Sequence, residues 1–209
     1  RPPPGRGRSA PSGAGTGNKP PGFAGIGALP NHILPPIELV QDMLIKHPSY
    51  QIAEVGLDRR FGNIEQQKQF LEAVLQVAYR YMRSVSLHCV HADEILLSLL
   101  RNRKHTLPPL LWHGFTSSYE TALKASRLNV ILSYGPRLYK SKLANEGKRL
   151  ITIPYALETD YDHPQEAQYT EVMEQHIYNF CSLCSTTEEH LIRNNDETRT
   201  ILTHYQTPR

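Results

Sequence analysis

Cysteine is scarce in this 209-residue chain, which has only Cys89, Cys181 and Cys184. Three thiols cannot make a disulfide framework and leave one unpaired, which excludes a small stapled scaffold and points to a reducing compartment, the cytoplasm. Long apolar runs are also missing. Nothing approaches the roughly 20 residues of a membrane span, and no basic stretch leads into an apolar signal core, so neither an anchor nor a leader is visible. Charge of one sign is not in excess either. A formal net charge of +3 is too small to indicate polyelectrolyte binding by itself, although a phosphate-bearing substrate is compatible with it. The chain opens on Arg1 rather than Met, and the natural start is expected upstream.

Proline and glycine, by contrast, are concentrated at one end. Residues 1–22 are more than half Pro and Gly, with no branched aliphatic or aromatic side chain, and cannot offset their own ordering entropy. They read as a disordered segment, with the folded domain spanning 23–209. Within that domain short apolar runs at 52–57, 85–90, 110–115, 130–134 and 155–159 alternate with amphipathic stretches. This is the pattern of a parallel sheet covered by helices. Phe70, Val74, Val77, Ala78 and Tyr81 recur at helical spacing behind an Asn63/Gln66 capping pair. Ser117 with Glu120 and Ser185 with Glu188 predict two further helix starts, and 165–183 reads as one long helix. Five strands with crossover helices fit either a (β/α)8 barrel that is incomplete or a doubly wound open sheet.

What lies at the strand ends separates those folds. Glu54, His88, His113 and Asp160 each fall at or near the carboxyl end of a different strand, and barrel active sites draw their residues from several strand ends onto one mouth. Carboxylates and imidazoles together suit Zn, Mn or a related divalent ion that activates water. Each residue also has an ordinary explanation. A strand histidine is usually a hydrogen-bonded core group, Asp160 can cap a helix, and Glu54 can pair with an arginine. Four such coincidences at equivalent positions are a weaker account than one metal site. Arg59 and Arg60, just past the Glu54 strand, are candidates to face a substrate phosphate. His91 is expected on the helix leaving its strand, and Cys181 with Cys184 form a CxxC without the second pair that a zinc knuckle needs.

The segments AEVGLD at 53–58, QxxFLEAVLQVA at 67–78, VSLHC at 85–89, WHGF at 112–115 and LETD at 157–160 resemble, in order and spacing, the TatD-type metal-dependent deoxyribonucleases among the amidohydrolase-like barrels. GIGALPNH at 25–32 resembles the end of that family's second strand, with GALP where GxHP is expected and His32 nearby. The resemblance implies a (β/α)8 TIM-type barrel incomplete at the N-terminus. It implies that Glu54 bridges two divalent ions (Mg, Mn or Zn), that His88 and His113 hold one, and that Asp160 belongs with the other. The second ion also calls for an HxH pair on the first strand, and this chain contains no HxH. One ion is therefore expected to be held by Glu54, His88 and His113. The implied reaction is attack of metal-activated water on a phosphodiester of DNA, with Asp160 and Glu54 as catalytic residues. Amide or lactone hydrolysis by a related barrel, or a catalytically impaired barrel kept for binding, are the alternatives.

Overall fold

A computed structural model of the chain describes residues 25–160 and 166–203. The segment expected to be disordered, and the first residue of the predicted long helix, lie outside that range. Six strands run parallel in sequential order: β1 (Gly25–Ala28), β2 (Gln51–Asp58), β3 (Val85–Val90), β4 (Leu110–Trp112), β5 (Val130–Tyr134) and β6 (Tyr155–Leu157). Four crossovers carry α1 (Ile37–Lys46), α2 (Ile64–Arg80), α3 (Asp93–Asn102) and α4 (Tyr119–Ser126). The fifth is built from two 3-10 stretches, Pro136–Lys140 and Lys142–Thr152. Helices α5 (Glu166–Cys184) and α6 (Glu188–Thr203) follow.

Burial differs along the sheet: every residue of β5 is buried and so is β2 from Val55 to Asp58, whereas β3 buries Val85 and Leu87 on one face and leaves Ser86, His88 and Val90 partly open on the other. Helix α2 lays Leu71, Val74, Leu75 and Ala78 against the strands. This is the α/β, barrel-type architecture that the strand-end residues and the family resemblance predict. The ring is not closed, for among the described residues β1 and β6 each pair on one side alone. Helix α6 covers part of the β6 edge, where Asn194 and Thr198 donate to the Tyr155 carbonyl at 2.8 and 3.0 Å and so occupy an acceptor that a further strand would use.

Two details at strand β2 set up the site. Relative to both neighbours β2 carries one extra residue between Ile52 and Glu54, a bulge of the kind that re-aims a side chain beside an active site. Three residues later, Gly56 lies so close to β3 that a Cβ there would stand 1.9 Å from the His88 carbonyl oxygen. Only glycine permits the approach that brings the Glu54 and His88 strands together.

Helix starts needed correction. Asn63 caps α2 as expected, but its side chain accepts from the Glu65 N–H, at 2.9 Å. The cap of α4 is Ser118, accepting from Thr121 N–H at 3.1 Å, because the Ser117 hydroxyl is spent on the Asp93 carboxylate. Thr187, not Ser185, caps α6 by accepting from His190 N–H at 3.3 Å. Ser185 has φ +49 in the turn after α5. The expected helical position of His91 is likewise displaced, since it has φ +56 in the turn before α3 begins at Asp93.

Candidate metal centre

The carboxyl ends of the strands open onto one cavity of about 590 Å³. Glu54, His88, His113 and Asp160 all line it, with Arg60, His91, Asp93, Ser117 and Arg137 in the same wall. Glu54 lies within β2 and His88 within β3. His113 sits one residue past β4, and Asp160 lies three residues past β6 in a left-handed turn with φ +53.

Glu54, His113 and Asp160 offer one ligand atom each, all within 4.8 Å of one another, close enough to share a single cation. His113 Nε2 is 3.4 Å from Glu54 Oε1 and 3.5 Å from Asp160 Oδ1. This grouping differs from the expected one. Asp160 joins Glu54 and His113, while His88 stands just beside them, with Nδ1 3.6 Å from Glu54 Oε2 and Nε2 hydrogen-bonded to Asp58 Oδ2 at 3.1 Å. The physical reason is that the His88 nitrogens are divided between two carboxylates of β2, with Nε2 committed to Asp58 and only Nδ1 turned to Glu54.

Asp58 and Glu158 are the functional residues that strand-end reasoning passed over, although both stand inside the quoted segments AEVGLD and LETD. Glu158 accepts from His113 Nδ1 at 2.8 Å, from Gly114 N–H at 2.8 Å and from the Ser133 hydroxyl. With Nδ1–H committed to a carboxylate, the His113 tautomer presents Nε2 as a lone pair toward Glu54 and Asp160. Metal-binding histidines are usually oriented in this way. Asp58 is buried (1% exposed) and holds Arg60 through both oxygens. The ordinary arginine partner foreseen for Glu54 thus belongs to Asp58.

The electrostatics follow from these contacts. Burial alone would depress His113, but Glu158, then the charges of Glu54 and Asp160, outweigh it and raise its pKa to about 8 from an ordinary 6.5. His88 is raised chiefly by its contact with Glu54, and Glu54 is lowered chiefly by the same contact. Burial works against ionisation of Asp58, yet Arg60 and His88 hold it well below the carboxylate range.

Glu158 therefore carries a test of its own. Outer partners of metal-binding histidines typically account for about 10–100-fold in metal affinity, and Glu158→Gln is expected to weaken divalent-ion binding by that order. In the unsubstituted protein a proton competes for His113 Nε2 below pH 8, so apparent metal affinity should rise from pH 6 to 8 and then level off. The metal-free protein responds oppositely. The stabilising His113 contacts are fully present below the ordinary pKa of 6.5 and are lost as pH rises through about 8. Calorimetric titration with Mn²⁺ across that range checks the variant and the unsubstituted protein, and a Glu158→Gln protein with unchanged affinity would show that the His113 tautomer is set elsewhere.

The arginines divide. Arg60 lines the cavity with its Nε and Nη2 on Asp58, and its guanidinium lies 5.3 Å from the Phe61 ring centre. Arg59 is exposed and is not part of the cavity wall. Where GALP replaces the expected GxHP, Leu29, His32, Ile33 and Pro35 form one side of an adjoining hollow that Glu54 also borders. The CxxC lies within α5, with Cys184 buried and its thiol on the Gly147 carbonyl at 3.4 Å.

Comparison with known proteins identifies the family and the fold. The family described as TatD related DNase matches residues 18–198. Among solved structures, the TatD homologue YjjV of Escherichia coli K12 superposes with a TM-score of 0.76 at 23% identity, over 90% of this chain and 79% of that one. An uncharacterized amidohydrolase from Saccharomyces cerevisiae follows with a TM-score of 0.64 at 16% identity, over 86% and 80%. No curated protein matches.

Proposed function

The chain belongs to the TatD-related DNase family, and from that premise we propose that it hydrolyses phosphodiester bonds of DNA, or of another nucleotide-containing substrate, with the help of a divalent metal ion. The observation that carries this reading is the convergence of Glu54, His113 Nε2 and Asp160 on one point at the mouth of the sheet. The donor set fits a metal: two carboxylates and one imidazole whose other nitrogen is held by Glu158. Mg, Mn and Zn are all compatible with these ligands, and one or two ions per chain can be engaged, with His88 beside Glu54 for the second.

A bound divalent ion would supply Lewis-acid polarisation of the phosphoryl oxygen and acidify water at the site. The chain's own residues do the rest. Asp160 is half-exposed at the cavity, where it can take a proton from the attacking water. Glu54, kept ionised by His88, fixes the position of the charge opposite it. Arg60, anchored on Asp58, stands in the wall as a cation for substrate phosphate, with Arg59 beside it in sequence. Among the described residues no helix is long and apolar enough to cross a membrane, and free thiols at Cys89, Cys181 and Cys184 accord with a cytoplasmic setting.

A screen decides the reaction class. Purified protein with Mg²⁺, Mn²⁺ or Zn²⁺ is expected to release nucleotides from labelled single-stranded DNA and to leave simple amides and lactones intact. Turnover of the amides or lactones alone would replace this reading with an amidohydrolase one, and no turnover of either would leave a barrel kept for binding.

A further inference from the structure

Asp160 is engaged twice. Its Oδ1 faces His113 Nε2 at 3.5 Å inside the candidate metal triad, and its other oxygen is hydrogen-bonded by Nη2 of Arg137. We propose that Arg137 is a second, movable phosphate-binding residue of this site beside the fixed Arg60, resting on Asp160 until a divalent ion claims that carboxylate. The inference rests on the reading of the cavity as a phosphodiester-cleaving site and assigns it a substrate contact.

Four observations carry it. First, the two arginines of the cavity wall are not equivalent. Arg60 is tied to a buried carboxylate, and drawing it away would strand that charge, whereas the Arg137–Asp160 pair is open to solvent, with side chains 77% and 40% exposed. An exposed pair exchanges partners at little cost.

Second, the base of Arg137 is fixed while its head is free to reorient. It follows Pro136 at the start of a 3-10 turn, and the next residue, Leu138, is fully buried with its N–H on the Gly135 carbonyl at 2.9 Å. Third, its reach is right. A group bound by this guanidinium in place of the Asp160 oxygen lies next to the carboxylate that would ligate the ion, where a reacting phosphate has to be. Fourth, the charges change in the required direction. In the metal-free protein Glu54 and Asp160 present negative charge to Arg137, and a divalent cation among them would cancel that attraction. The planar guanidinium fork would then be available to two phosphate oxygens.

Ion and substrate should therefore help each other bind, each by the same factor. Arg137→Gln, which removes a competitor for Asp160, should bind Mn²⁺ at least as tightly as the unsubstituted chain, measured by electron paramagnetic resonance of the free ion. The same variant should bind fluorescein-labelled single-stranded octathymidylate about 10–100-fold more weakly in Ca²⁺, the range expected for a lost charge-assisted contact. The log-log dependence on salt should flatten by about 0.7, as expected for one lost phosphate contact on a single strand. Arg137→Lys should keep the salt slope. In EDTA, Asp160→Asn should tighten oligonucleotide binding, but not when Arg137 is already glutamine.

If Arg137→Gln binds Mn²⁺ normally and leaves both oligonucleotide affinity and salt slope unchanged, Arg137 is only a surface partner of Asp160 and the proposal is overturned. An unsubstituted protein that neither binds nor cleaves the oligonucleotide with any ion overturns the functional reading and takes this inference with it.

Discussion

Glu54→Gln is expected to abolish divalent-ion binding and, with it, hydrolysis, by a factor larger than the roughly 10–100-fold attached to residues that only orient a ligand. Glu54 stands between the two histidines, 3.6 Å from His88 Nδ1 and 3.4 Å from His113 Nε2, and among the described residues it is the one carboxylate in reach of both. The amide keeps the shape and removes the charge, so the cavity should persist while its attraction for a cation fails. Losing the same contacts also lets His88 and His113 return toward ordinary basicity, since Glu54 is the leading cause of the His88 shift and contributes to that of His113. Metal content of the purified variant and its rate on labelled single-stranded DNA are the readouts. A Glu54→Gln protein that keeps its metal would remove Glu54 from the site.

The second large effect belongs to a residue with no functional group. Gly56→Ala would place a methyl 1.9 Å from the His88 carbonyl oxygen. The obstacle is backbone within a parallel ladder, so no side-chain rotation relieves it. Overpacking by one methyl group ordinarily costs about 1–3 kcal/mol, and this case should reach or exceed the upper end. For a chain of this size that is a fall in Tm of about 6–12 °C or more. Because β2 and β3 would have to separate between Glu54 and His88, ion binding should weaken too. A melting curve within about 2 °C of the unsubstituted protein would show that the strands are not so closely apposed.

Much of this was legible before the structure. The strand runs at 85–90 and 130–134 coincide with β3 and β5: β5, buried on both faces, is written as a nearly continuous apolar run, and β3 alternates buried Val85 and Leu87 with the half-buried Ser86 and His88. The long helix near the end is α5, described from Glu166. The four strand-end residues do share one cavity. What sequence spacing could not supply was partnership across strands. Asp58 and Glu158 sit in the same motifs as Glu54 and Asp160, yet nothing local says that Asp58 turns to His88 and Arg60, or that Glu158 reaches 45 positions back to His113. Those contacts exist because parallel register sets β2 beside β3, and because strand ends β4 to β6 bring His113, Ser133 and Glu158 together.

The misplaced caps have the same origin. Ser117 and Ser118 are equivalent by local propensity, and a tertiary bond to Asp93 decides between them. Arg137 carried no sequence signal at all, since an arginine after a proline in a crossover is unremarkable until Asp160 is found beside it.

The central claim is that Glu54, His113 and Asp160 together hold a divalent ion. Anomalous diffraction at the zinc edge, from crystals of the full chain grown with Zn²⁺, tests it most directly. The expected result is a peak at about 2.0–2.2 Å from a Glu54 oxygen, His113 Nε2 and an Asp160 oxygen, with Glu158 still on His113 Nδ1. A cavity without a peak at saturating zinc, or a peak ligated by none of these three residues, would contradict it.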